Sequence, residues 1–238
     1  MTQSIIIANW KMHFSLAEVD VVCKKLAETP KNNLIIAPTA PYLAYLAAKF
    51  PSLNFCAQNL CEFSQSGPYT GEYSSTMLKS CGINYAIIGH SERRSLYNES
   101  DQTICAKVSA ALNAKVTPII CIGESAETRQ NGGYKEFLIN QLESSLPSNI
   151  EDDIIIAYEP IWSIGTNELP TNIELMEAFE VISSNIAQSP VAKNVRLLYG
   201  GSVNLDNIEQ VLSLKHVNGV LVGKSSLDPE ILVKMLER

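Results

Sequence analysis

Charge is scarce in this sequence: Asp, Glu, Lys and Arg make up 18% of its 238 residues. That is below the ~25% of an average soluble protein, which excludes disordered and coiled-coil chains. Basic charge is scarcer still, with 18 Lys and Arg against 25 Asp and Glu, for a formal net charge of -7. With no Lys/Arg block either, the chain is a poor binder of nucleic acid or of anionic membrane surfaces. An anionic ligand would need a local site. Apolar runs stay well short of the ~18 residues of a membrane span. The opening residues lack a basic stretch and a small-residue cleavage site, so no signal peptide is expected. The six cysteines form no C-x-x-C pair. This usage points to buried thiols in a reducing compartment, hence a cytoplasmic protein. Three scattered histidines and no cluster of acids or thiols at ligand spacing argue against a metal. Neither G-x-S-x-G nor a P-loop occurs.

What is abundant is apolar: 46% of the residues are hydrophobic. They recur in short runs at Ile5–Trp10, Leu34–Ala37, Asn54–Ala57, Tyr85–Ile88, Thr117–Ile122, Ile154–Tyr158, Val195–Tyr199 and Gly219–Val222. None alternates with polar residues, so the runs suit parallel strands buried on both faces. Helical patterns lie between them. Leu16, Val19, Cys23 and Leu26 share one face, opened by a Ser15/Glu18 capping box. Leu175, Phe179, Ile182 and Ile186 share another, opened by Thr171/Glu174. Ile104, Val108 and Ala111 make a third face. A last helix near Asp228–Leu236 opens with Asp-Pro. Eight such units without a linker predict an α/β fold, a single-domain (β/α)8 barrel spanning 1–238. A doubly wound open sheet competes, but its G-x-G-x-x-G turn after the first strand is absent.

Barrels of this kind carry their chemistry at the C-terminal ends of the strands. Asn9 and Lys11 follow the first run, and period two aims both to one face. A Lys at a barrel mouth is a fixed cation for an anionic ligand; the plainer alternative is a snorkelling surface lysine. His90 follows the fourth run at a strand-to-helix junction, where backbone N–H dipoles favour neutral imidazole. Such a ring can polarise a carbonyl and shuttle protons, or make only a structural hydrogen bond. Glu159 ends an apolar strand, where desolvation would make it a better base; an ion pair is the alternative. Gly200-Gly201-Ser202 and Gly223-Lys224-Ser225 follow the last two runs, where barrels commonly bind phosphate on backbone N–H groups. Two loops exceed simple connectors. Pro160–Pro170, with Trp162 and Gly165, reads as a lid beside Glu159. Leu60–Thr76 carries Phe63, Tyr69 and Tyr73 and reads as a partner surface.

Taken together, these residues resemble the triosephosphate isomerase family. The matching stretches are ANWKM (Ala8–Met12), TGE (Thr70–Glu72), MLK (Met77–Lys79), GHSERR (Gly89–Arg94), CIGE (Cys121–Glu124), AYEPIW (Ala157–Trp162), IGT (Ile164–Thr166) and LYGGSV (Leu198–Val203). They run through nearly the whole chain in family order. The resemblance implies interconversion of dihydroxyacetone phosphate and D-glyceraldehyde 3-phosphate, a step of glycolysis and gluconeogenesis, without a cofactor. It implies Glu159 as the base, His90 as the neutral electrophile and Lys11 as the cation, with Asn9 beside it and Glu92 holding it. Phosphate would sit on backbone N–H groups of Gly165, Ser202, Gly223 and Lys224. The Leu60–Thr76 loop resembles the interlocking loop of a homodimer, with Thr70 approaching the neighbour's site.

Four residues depart from the family pattern, one of them His13, which stands where Asn is usual and is given no function. Ser163 and Asn167 stand where Ala and Gly are usual in the lid. Lys224 replaces the second glycine after the last strand. A positive φ there would be strained, and its side chain either sits in solvent or adds charge near the phosphate. Two other readings compete: a different phosphate-binding barrel enzyme working through a Schiff-base lysine or paired acids, and a non-catalytic barrel kept for interactions.

Overall fold

A computed structural model describes residues 3–28, 31–164, 169–188 and 194–238. Along the chain β1 (Ile5–Asn9), α1 (Leu16–Glu28), β2 (Leu34–Ala37), α2 (Ala40–Lys49), β3 (Asn54–Ala57), α3 (Ser75–Ser80) and β4 (Tyr85–Ile88) form the first half. Then come α4 (Ser91–Tyr97), α5 (Asp101–Asn113), β5 (Thr117–Ile122), α6 (Ala126–Gln130), α7 (Tyr134–Ser145) and β6 (Ile154–Tyr158). The last part holds α8 (Asn172–Gln188), β7 (Val195–Tyr199), α9 (Ile208–Leu212), β8 (Gly219–Val222) and α10 (Pro229–Leu236), with short 3-10 turns at Ile161–Ser163 and Lys224–Leu227. The eight strands pair in parallel in sequence order, and β8 returns to β1 to close the barrel. The fold is therefore the (β/α)8 barrel, and the open sheet is excluded.

Burial on both strand faces explains the unbroken apolar runs. One set of strand side chains, including Ile7, Ile35, Ile87, Ile119, Ile155 and Leu221, fills the barrel interior. The alternate set, including Ile6, Ile36, Ile88, Ile120, Ile156 and Val220, packs under the helices in a larger core. Both capping boxes form. The Glu18 carboxylate accepts from the N–H and hydroxyl of Ser15, and Glu174 does the same for Thr171. Asp228 caps α10 by accepting from the N–H groups of Glu230 and Ile231.

Two expectations about local structure change. β1 ends at Asn9, so Trp10 lies beyond it. There Trp10 is fully buried, and its indole N–H donates to the Ser226 carbonyl at 3.0 Å. The long third loop stops at Ser74, which caps α3 through its hydroxyl. Within that loop Phe63 and Tyr69 are exposed and stack on each other at 4.1 Å, but Tyr73 is half-buried against the core. All six cysteines are free. Four are buried, whereas Cys81 is exposed and Cys105 is half-buried, so the expected burial holds only in part. No helix among the described residues is long and apolar enough to cross a membrane.

Barrel closure leaves no room for a side chain at the start of β8. A Cβ on Gly219 would lie 2.1 Å from the Ile5 carbonyl oxygen, a backbone atom that cannot swing away. Gly219→Ala is expected to cost about 3 kcal/mol, as overpacking of a tight interior does. Urea unfolding of the variant against the parent measures it.

Candidate active site

The rim formed by the strand C-termini encloses a cavity of about 480 Å³. Asn9, Lys11, His90, Glu92 and Glu159 line it, and Ser202, Gly223 and Lys224 face it from β7 and β8. Residues singled out from separate stretches of sequence thus share one space. Ile164, Leu169 and Leu221 supply apolar wall.

Lys11 reaches the cavity through an unusual backbone. Its φ is 47°, in the left-handed region that costs a non-glycine residue about 1–3 kcal/mol. Three hydrogen bonds hold it there. Its N–H donates to the Asn9 side-chain oxygen at 3.1 Å, and the Gln58 amide donates to the carbonyls of Lys11 and Ala37, both at 2.8 Å. The side chains of Asn9 and Lys11 meet at the rim through this turn and not through strand alternation. The Lys11 ammonium is ion-paired with Glu92 at 2.5 Å.

His90 caps α4 with its own ring. Its Nδ1 accepts from the Glu92 N–H at 3.2 Å. A ring that accepts at Nδ1 carries its proton, when neutral, on Nε2. That Nε2 lies 3.3 Å from Oε1 of Glu159. The other Glu159 oxygen accepts from the Ser91 N–H at 3.0 Å.

Glu159 is only 2% exposed. Two glycines make space for it. A Cβ on Gly123 would lie 1.7 Å from the Glu159 carbonyl oxygen, and one on Gly200 would lie 2.9 Å from its Cγ. The nearby Cys121 thiol is pushed well above the usual thiol range, first by burial and then by the Glu159 charge. It stays neutral beside the carboxylate.

Beyond the predicted residues, two contributors emerge. Gln58 stood at the end of the third run without a role, and it supports Lys11. Arg94, inside the GHSERR stretch, donates to the carbonyls of Gly89 at 2.9 Å and Cys121 at 3.0 Å and pairs with Asp101. It ties together the ends of β4 and β5 next to His90. The spacing of these two side chains from the strand ends was visible, but the partners Lys11, Ala37 and Cys121 are distant in sequence.

On the opposite wall the Ser202 hydroxyl donates to the Ser163 carbonyl at 2.9 Å, linking the β7 turn to the start of the long sixth loop. Ser163 is fully buried. Lys224 is not among the positive-φ residues, so its replacement of glycine brings no backbone strain. Gly165 and Asn167 lie outside the described residues. Thr70 does not reach this cavity. It is exposed and lines a separate groove of about 300 Å³ with Arg93 and Lys107. Among the described residues no group of three or more His, Cys, Asp or Glu is arranged to hold a metal ion.

The sequence model of the triosephosphate isomerase family matches residues 4–238. A triosephosphate isomerase of Orientia tsutsugamushi (strain Ikeda) is 41% identical over 244 residues, covering 99% of this chain and 97% of that protein. One of Colwellia psychrerythraea (strain 34H / ATCC BAA-681) is 40% identical, covering 96% of this chain and 94% of that protein. The crystal structure of the Bartonella henselae triosephosphate isomerase superposes with a TM-score of 0.85 at 34% identity, covering 99% and 98% of the two chains. Likeness of this extent, in sequence and in backbone, means that the chain belongs to the triosephosphate isomerase family.

Proposed function

We propose that Glu159, His90 and Lys11 carry the chemistry of this chain, which as a member of its family is an aldose–ketose isomerase interconverting dihydroxyacetone phosphate and D-glyceraldehyde 3-phosphate. The observation that carries the proposal is the 3.3 Å approach of Glu159 to His90 in the same cavity as the Lys11 ammonium. One Glu159 oxygen is held by the Ser91 N–H and the other lies beside the His90 ring. In the proposed reaction Glu159 gives up its contacts with His90 and Ser91 and takes a proton from the carbon next to the substrate carbonyl. The His90 Nε2–H donates to the carbonyl oxygen and then moves a proton between the two oxygens. The enediolate formed in between is anionic, and the Lys11 cation stabilises it. Glu92 holds Lys11, and Asn9 supports it. Glu159 returns the proton to the neighbouring carbon, and the cycle needs no cofactor.

Phosphate would bind to the backbone N–H groups of Ser202, Gly223 and Lys224, with Gly165 joining when the Pro160–Pro170 loop closes. Closure matters because an enediolate beside a phosphate ester can expel phosphate; enclosing it suppresses that loss. We further propose a cytoplasmic homodimer. The exposed Phe63–Tyr69 pair supports this, as does the exposed Thr70 beside the groove of Arg93 and Lys107. In the dimer that loop would enter the partner's groove, with Thr70 near the partner's catalytic residues.

Glu159→Gln is expected to lower kcat by about 10²–10⁴, the worth of a general base. A coupled assay with glyceraldehyde 3-phosphate measures it, and near-parental turnover would refute the assignment. Lys11→Met removes a cation from the phosphate and the enediolate. It should raise KM and lower kcat, each by about tenfold or more; an unaltered KM takes Lys11 out of the binding site. Sedimentation at micromolar concentration should give twice the chain mass, and a single-chain species there would overturn the dimer.

A further inference from the structure

Four side chains on the cavity wall carry formal charge: Lys11, Glu92, Glu159 and Lys224. Lys11 and Glu92 neutralise each other in their ion pair. Glu159 must stay ionised to act as a base. Without Lys224 the wall would therefore be net negative, in a chain whose formal charge is already -7. The substrate's phosphate ester carries close to two negative charges at neutral pH. Backbone N–H groups bring dipoles to it but no net charge.

Lys224 redresses this balance. Its side chain is exposed and, among the described residues, makes no hydrogen bond or ion pair. Its backbone is firmly seated. The N–H and hydroxyl of Ser226 both donate to the Gly223 carbonyl, at 2.9 and 2.7 Å. The Trp10 indole fixes the Ser226 carbonyl in turn. Lys11 runs alongside, since a Cβ on Gly223 would meet its Cε at 3.6 Å. The free ammonium thus starts from the wall that also presents the proposed phosphate-binding N–H groups.

We propose that the Lys224 side chain is a specificity-determining charge of this chain: it recruits the phosphate dianion and favours phosphorylated over uncharged trioses. This deepens the isomerase reading of the same cavity and rests on it. A unit charge a few ångströms from a dianion in a water-like dielectric changes its affinity by about tenfold. The effect should fade as salt screens it.

The test compares the parent with Lys224→Met and Lys224→Arg. In Lys224→Met, KM for glyceraldehyde 3-phosphate should rise about tenfold at low ionic strength. The preference for glyceraldehyde 3-phosphate over glyceraldehyde, as a ratio of kcat/KM values, should fall by a similar factor. The dependence of kcat/KM on ionic strength should flatten, and Lys224→Arg should restore all three. Binding of inorganic phosphate, followed by calorimetry, should weaken in parallel. Parental KM and salt dependence in Lys224→Met would overturn the proposal. So would an equal loss with both trioses, the mark of a merely structural role. A parent inactive on trioses would defeat the isomerase reading instead, and the phosphate-binding comparison would still decide the charge effect.

Discussion

Ile5–Ala8 of β1 lie in parallel register with Gly219–Val222 of β8, and this last ladder turns a curved sheet into a closed ring. Closure brings eight strand ends to one rim, whatever their separation in sequence. Asn9 and Gly223 stand at opposite ends of the chain yet line the same cavity. The constraint is severe where backbones approach most closely. Glycines at 123, 200 and 219 are there because a methyl group would meet a carbonyl oxygen or the Glu159 side chain. The ring that positions the site also dictates where side chains are forbidden.

Within that ring, the side chains that line the cavity are held by contacts that also build the fold. The Lys11 backbone is strained, and the strain is balanced by Asn9 and Gln58, one from the strand before it and one from β3's end. Glu159 is fixed from the main-chain side by the Ile122 carbonyl at 2.7 Å and from the side-chain side by Ser91. Arg94 joins two strand ends beneath His90. Preorganisation of this kind lowers the reorganisation needed when charge develops on a bound ligand.

Much of this architecture was legible in the sequence, for physical reasons. Strands buried on two faces cannot alternate, so seven of the eight apolar runs coincide with the strand bounds, and only the first overran by Trp10. Capping boxes are local, and those at Ser15 and Thr171 formed as read. The convergence of Asn9, Lys11, His90 and Glu159 followed once the strand ends were assigned to one rim. What local pattern did not reveal was long-range or conformational. The left-handed turn at Lys11 depends on Gln58, 47 residues away. The half-burial of Tyr73 depends on how its loop folds back over the core.

His90 has a double duty. One ring nitrogen terminates α4 by accepting from the Glu92 backbone, while the other points at Glu159. Loss of the Nδ1 acceptor would uncap the helix, so the ring belongs to the architecture as well as to the cavity. An amide side chain could imitate the acceptor or the donor, but it is not an aromatic frame presenting both on opposite edges. The position is therefore constrained twice over, once by Glu159 across the cavity and once by the helix it begins.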